Sequence, residues 1–255
     1  MRWRHIDVSH EAPRLTITLS RPERRNALSL DLMTEVIKAL REIPPEVRAV
    51  VVAAEGPAFS AGHDLSEMID RPPSFYDDLF AVCTEMMESV QALPQPVIAR
   101  VHGVATAAGC QLVASCDLAV ASTEAWFGTP GVKIGLFCTT PAVPLVRAIG
   151  RKRAMEMLLT ARAIDAQTAQ SWGLVNRVVP PEELDAAVTE YVETIAGFSR
   201  HVIGLGKETF YRQADLPQRE AYGVTQRVMA DSAVGEQAQE GMSAFLDKRR
   251  PEWPD

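Results

Sequence analysis

The sequence predicts an α/β fold, and three observations carry that prediction. A continuous apolar run occurs at 49–54 (AVVVAA), and mostly apolar strand-like stretches at 97–101 (VIARV) and 117–121 (DLAVA). Such runs, most of all the β-branched 49–54, suit strands covered on both faces. Stretches of helical spacing separate and follow these runs. From about residue 182 strand signals stop, and helical stretches follow at 182–197, 201–213, 217–232 and 235–248. The order is strand, strand, helix with irregular loops, not a plain alternation. A helical tail on an α/β core suggests packing against itself or against a partner subunit.

The elements follow from local pattern. Residues 15–19 (LTITL) alternate strictly and predict a half-buried strand. A polar turn, RPERRNALS, leads to Ser29 as N-cap with Asp31 in the first turn. Leu30, Met33, Ile37 and Leu40 then recur at helical spacing until Pro44-Pro45. Residues 55–64 (EGPAFSAGHD) read as a loop. Residues 75–92 predict a helix with Phe80, Val82, Met86, Met87 and Val90 inward, ended by Pro94 and Pro96. The stretch HGVATAAG turns the chain into a helix at 108–115, and further helices are expected at 143–149, 151–160 and 166–172.

Composition narrows the function classes. The chain has 255 residues, 47% hydrophobic and 23% charged, enough for a sizeable core without disulfides. A formal net charge of −7 argues against binding nucleic acid through a basic face. Arg151-Lys152-Arg153 and Lys248-Arg249-Arg250 are local basic clusters, suited to small anions or to solvated helix ends. The cysteines Cys83, Cys110, Cys116 and Cys138 form no CxxC pair, so no metal or redox site is expected. The opening MRWRHIDVSH has no apolar segment of signal-peptide type, and no run of about 18 apolar residues suggests a membrane span. A cytoplasmic location is the expectation.

Two small-residue loops each lead into a helix: FSAGHDL at 59–65 and HGVATAAGCQL at 102–112. Each can aim a backbone N–H outward, from His63 and from Ala108. Two such donors at helix N-termini hold a developing oxyanion. Gly62 and Gly109 permit close backbone approach. Either loop alone reads more simply as a tight strand–helix turn.

Taken together, NALS (26–29), FSAGHDL (59–65), GVATAAGCQLVASCDLAVAS (103–122), FGTPGVKIGL (127–136) and FLDKRRP (245–251) resemble the enoyl-CoA hydratase/isomerase (crotonase) family. The resemblance covers roughly residues 3–250 and is nearest the "enoyl-CoA hydratase domain-containing" subset. It implies a superhelix of ββα turns over 1–195 and a helical oligomerisation region over 196–255. It also implies a homotrimer or dimer of trimers, and lyase or isomerase chemistry in fatty acid metabolism. No cofactor is implied beyond coenzyme A as part of the substrate; no membrane or nucleic-acid partner is implied either.

By the same resemblance, His63 and Ala108 polarise the thioester carbonyl. Arg24, Ala27, Leu28, Ser60, Ala61, Asp64 and Leu65 contact coenzyme A, and Phe245 with Lys248 reaches a neighbouring subunit's ligand. Lys248 equally suits a helix C-terminus as a plain charge. Cys138 and Thr139 line the acyl pocket, Cys138 more simply as a buried thiol than as a nucleophile.

The glutamates that serve active hydratases correspond to Gln111 and Gly131. An amide neither takes nor gives a proton near neutrality, and Gly131 has no side chain. Standard hydration is therefore expected to be weak or absent, and the double change Gln111→Glu with Gly131→Glu to raise it if the backbone tolerates side chains. The His63 ring, Glu85 and Glu88 are the remaining candidates for proton transfer. His102 reads as a structural hydrogen-bonding residue. The alternatives are a malonyl-type acyl-CoA decarboxylase, which needs an oxyanion hole but no strong base, and a non-catalytic acyl-CoA binder or scaffold. Enzyme activity is favoured over binding alone.

Overall fold

A computed structural model describes residues 3–254. In chain order the first elements are β1 (Ile6–Glu11), β2 (Arg14–Leu19), α1 (Leu30–Arg41), β3 (Ala49–Ala54), β4 (Ala58–Ser60), α2 (Pro73–Ala92), β5 (Val97–Val101), β6 (Val104–Thr106) and α3 (Ala108–Ser115). Then come β7 (Leu118–Ser122), β8 (Trp126–Gly128), α4 (Thr139–Ile149), α5 (Arg151–Thr160), β9 (Ile164–Asp165), α6 (Ala166–Trp172) and β10 (Arg177–Val179). Four helices finish the chain: α7 (Leu184–Ala196), α8 (Arg200–Ala214), α9 (Gln218–Ala233) and α10 (Glu236–Leu246).

The strands form two sheets. One has the order β1-β2-β3-β5-β7-β10, the other β4-β6-β8-β9. All neighbours are parallel except β1 on β2 and β9 on β8. Three successive units, β3-β4-α2, β5-β6-α3 and β7-β8-α4, each place one strand in each sheet and then a helix. This is the ββα superhelix that the resemblance implies.

The run AVVVAA is buried along its whole length, as expected for a doubly covered strand. Val50 and Val52 join the large core beneath α1 and α2, including Leu32, Val36, Leu79 and Met86. Ala49 and Val51 face the other way, with Ile98 and Val120, onto Leu184, Val188 and Val192 of α7. Each such aliphatic side chain contributes roughly 1.5–3 kcal/mol when fully buried. At the start of α1 the Ser29 hydroxyl accepts the Leu32 N–H at 3.2 Å, so the expected cap is present.

Several elements depart from the sequence expectation. The presumed loop 55–64 contains β4, and β6 and β8 are also strands, each of three residues. Three residues are too few for alternation to register. In α2 the inward set is Leu79, Cys83, Met86, Met87 and Val90, while Phe80 and Val82 are only partly buried. The helical phase was therefore misplaced at its N-terminal end. The helix expected at 143–149 begins earlier, at Thr139.

The C-terminal helices bury little of their own. Among the described residues, α8 buries only Gly204, α9 none, and α10 only Ala244. Polar anchors hold them instead. Lys207 of α8 pairs with Asp117 at 2.6 Å, their side chains 7% and 15% exposed. Burial pushes the Lys207 ammonium below its ordinary pKa, and Asp117 opposes that shift. Beyond α10 the Trp253 indole N–H donates to the Gly197 carbonyl at 2.9 Å. Among the described residues no helix is long and apolar enough to cross a membrane.

Candidate functional site

The site is built where two loops touch. After β4, Gly62 takes φ +89°, a left-handed conformation that favours glycine. The Leu28 N–H donates to the Gly62 carbonyl at 2.7 Å, and the Asp64 N–H donates to the Leu28 carbonyl at 3.2 Å. His63 lies between these two bonds, and its own N–H finds no acceptor among the described residues. After β6, Ala107 has φ 49° and ψ −119°, and its N–H donates to the Gly128 carbonyl at 2.9 Å. That unusual backbone turn starts α3. It leaves the Ala108 N–H, in the first turn, also without an acceptor among the described residues.

The loops meet closely. A Cβ placed on Gly62 would lie 2.8 Å from the Ala107 Cβ and 3.3 Å from the Ala108 nitrogen. A Cβ on Gly109 would lie 2.5 Å from the Ser60 carbonyl oxygen. Glycine at both positions is thus a packing requirement. The result brings together two free backbone donors, one from each loop, beside the positive end of α3. Together they can stabilise negative charge on a carbonyl oxygen.

The His63 ring packs edge-on against Phe80, with centroids 5.4 Å apart. Both ring nitrogens are buried without a hydrogen-bond partner among the described residues. Burial, the larger influence, lowers the pKa of the ring, and the Leu28 backbone acts in the opposite sense. The imidazole is therefore neutral at pH 7.

Around α3 the other side chains are amide and thiol groups. Gln111 is 4% exposed. The Cys83 thiol of α2 makes a weak contact with its Oε1 at 4.0 Å. Its Nε2 donates to no described residue. Burial pushes Cys83 up to about 12. It does the same to Cys110, with Cys138 adding to the rise there. Cys138 is raised by burial too, against a backbone contact from Gly131. All three stay protonated at neutral pH, which suits buried thiols and not thiolate nucleophiles.

Gly131 lies in a 3-10 turn, Pro130–Ile134, and is buried. A Cβ there would fall 2.3 Å from the Leu136 carbonyl oxygen and 2.7 Å from the Cys138 Sγ. The turn does not admit a side chain. The condition attached to Gly131→Glu, a tolerant backbone, is therefore not met. The Thr129 hydroxyl beside this turn is buried and unpartnered among the described residues, a polar group the sequence reading overlooked.

The remaining expected positions divide into engaged and open groups. Ser60 donates to the Asn26 carbonyl at 2.9 Å and accepts from the Gly62 N–H at 3.3 Å, so its hydroxyl stabilises the loop. Asp64 pairs with Arg21 at 3.1 Å and accepts from Ser66. Burial acts to raise the Asp64 carboxyl, but the Ser66 and Arg21 contacts bring it below its ordinary value. Ala27 and Leu28 are buried, whereas Arg24, Ala61 and Leu65 are exposed. Thr139 is exposed at the start of α4. Phe245 is 83% exposed near the end of α10, and Lys248 follows with φ 55°. Glu85 pairs with Arg41, and Glu88 is exposed. His102 bonds the Gly56 carbonyl at 2.8 Å, a structural role as expected.

Two N–H groups without acceptors among the described residues thus lie on touching loops of a ββα-superhelix fold. The chain belongs to the enoyl-CoA hydratase/isomerase family, whose profile matches residues 11–255. The "Enoyl-CoA hydratase domain-containing protein 3, mitochondrial" of Mus musculus is 45% identical over 96% of this chain and 86% of its own length. A crystal structure of enoyl-CoA hydratase from Mycobacterium smegmatis superposes with TM-score 0.95 at 47% identity, covering 98% of this chain and 99% of that one. The human enoyl-CoA hydratase domain-containing protein 3 gives TM-score 0.95 at 43% identity, covering 98% and 100%. One expectation is corrected here. The mouse relative and its rat and human counterparts carry "mitochondrial" in their names, which points away from a cytoplasmic location. The lack of an apolar signal-type segment and of a long apolar run was too slight a basis for that assignment.

Proposed function

We propose that the protein binds an acyl-CoA thioester with the carbonyl oxygen between the N–H groups of His63 and Ala108. The observation that carries this reading is the pair of unpaired backbone donors on touching loops. Family membership supplies the ligand class. Arg24, Ala61 and Leu65 are the exposed positions near the first loop open to coenzyme A, while the Ser60 and Asp64 side chains support that loop. Calorimetry with acetyl-CoA and with acetate tests the reading. Binding of the thioester alone is expected; equal or absent affinity for both contradicts it.

In this reading, hydration by paired carboxylates is weak. An acid–base pair has no ionisable group at Gln111 or Gly131, and each partner ordinarily contributes roughly 10²–10⁴-fold. Decarboxylation of a malonyl-type thioester is the second reading, favoured by neutral groups around a retained oxyanion site. There the bond from the α carbon to the carboxylate breaks, CO2 leaves, and the electron pair passes into an enolate. The two N–H groups hold its oxygen, and solvent returns a proton to carbon. Release of CO2 from malonyl-CoA tests it; a thioester that is bound but never converted leaves the protein a binder.

The sparsely buried helices from residue 196 onward support a further part of the proposal, assembly into a trimer or dimer of trimers through this region. Light scattering at micromolar concentration checks it, a monomer alone being the contrary result.

A further inference from the structure

Among the described residues, α8 meets the core through a largely shielded charge pair, and that pair touches both helices that line the site. Asp117 follows the C-cap of α3, Cys116, directly. Its carboxylate accepts from the Val97 N–H at the start of β5 at 2.7 Å and from the Tyr211 hydroxyl at 2.8 Å. Lys207, one helical turn before Tyr211 on α8, completes the set at 2.6 Å. The same ammonium donates to the carbonyls of Val90 at 2.9 Å and Gln95 at 3.0 Å. Val90 lies in the last turn of α2, where a cation is favourable to the helix dipole.

The opposite parts of these helices carry the site. The first residue of α3 supplies the Ala108 N–H, and Gln111 is one turn further on. From α2 come Phe80 against His63 and Cys83 against Gln111. A helix of eight residues, such as α3, transmits a displacement of one end to the other. Since Gly204 is the one buried residue of α8 among those described, apolar packing gives this helix little hold of its own. Gly204 seats against Pro94, beside the same junction.

We infer that Lys207 is a positioning residue: through Asp117 and the end of α2 it fixes α3 and α2 relative to each other, and so sets the spacing of the two N–H donors. The C-terminal region thereby acts on the carbonyl site from a distance. The inference rests on the thioester reading for its functional consequence, but its structural part stands apart from that reading.

The test uses the full chain with Lys207→Met and with the double variant Lys207→Met/Asp117→Asn. The single variant leaves a buried carboxylate unpaired, which is strongly destabilising. The double variant removes both charges together; the new amide's oxygen can accept from the Val97 N–H while its nitrogen donates to the Tyr211 hydroxyl, so it is read wherever the single variant fails to fold. Two measurements are made. Hydrogen exchange is expected to accelerate about tenfold or more in α3 and the last turns of α2, with β3 unchanged. Vibrational spectra of bound acetyl-CoA are expected to lose most of the carbonyl shift seen with the unaltered protein. Unchanged exchange in α3 and α2, or a carbonyl shift that persists in the double variant, overturns the inference. Failure of the unaltered protein to bind acetyl-CoA overturns the thioester reading instead, and the exchange data then judge the positioning role alone.

Discussion

The two halves of the candidate site are built on opposite plans. On one side, the Gly62 and Ala107 loops are held apart from ordinary geometry to free two N–H groups, at the cost of left-handed backbone at a non-glycine residue. Strain of this kind costs on the order of 1–3 kcal/mol and persists where the surroundings enforce it. On the other side, the Pro130–Ile134 turn is closed so tightly that Gly131 faces a carbonyl oxygen and a thiol. In the proposed reading one half is open to a ligand's oxygen. The other is filled by the protein's own atoms, and the amide of Gln111 and protonated thiols surround the junction. In the proposed reading, a site with no ionisable group at Gln111 or Gly131 is better matched to holding an enolate than to moving protons on a water.

Breaking the open half gives the largest expected effect. Gly62→Ala forces the Ala107 contact apart and strains a φ of +89°. Loss of one oxyanion donor ordinarily costs about 3–4 kcal/mol, on the order of a hundredfold or more. Any thioester conversion is expected to fall by that factor, measured by turnover on a protein shown to be folded by circular dichroism. Retained turnover places the carbonyl elsewhere.

Altering the closed half should damage the fold without creating activity. Gly131→Glu brings a side chain against the Leu136 carbonyl, and overpacking of this kind costs typically about 1–3 kcal/mol. A denaturant midpoint lowered accordingly is expected, with crotonyl-CoA hydration no faster than before, followed by loss of the conjugated thioester absorbance. Faster hydration contradicts the account of a filled turn.

The smallest effect tests whether His63 acts through its backbone or its ring. His63→Leu keeps the N–H and removes two unpartnered buried nitrogens. It is expected to stabilise by about 1 kcal/mol and to leave acyl-CoA affinity unchanged. The pH dependence has a definite sign. The folded pKa lies below 6.5, so the stability linked to the neutral ring is present above that pH and is lost as pH falls through the folded value. A thermal midpoint that declines on acidification below pH 6.5, less steeply in His63→Leu, is the expected result. A steep loss of affinity in the variant assigns the ring a direct role.

The sequence made the long elements plain and left the short ones hidden. Doubly buried β3 and the Ser29 cap of α1 follow from composition and spacing alone. The second sheet did not, because three-residue strands such as Ala58–Ser60 carry no period. The two loops were legible through their glycines and their family wording. Their partners were not: nothing local in Arg21 or Lys207 signals a contact made across tens of residues of chain. The blocked state of Gly131 was equally invisible, since it depends on where Leu136 and Cys138 return to the turn.

The most direct test of the central claim is the carbonyl stretch of isotope-labelled acetyl-CoA bound to the protein. Two converging N–H donors predict a clear shift to lower frequency on binding, diminished by Gly62→Ala and unaffected by His63→Leu. A bound thioester whose carbonyl frequency equals that in water would contradict the account.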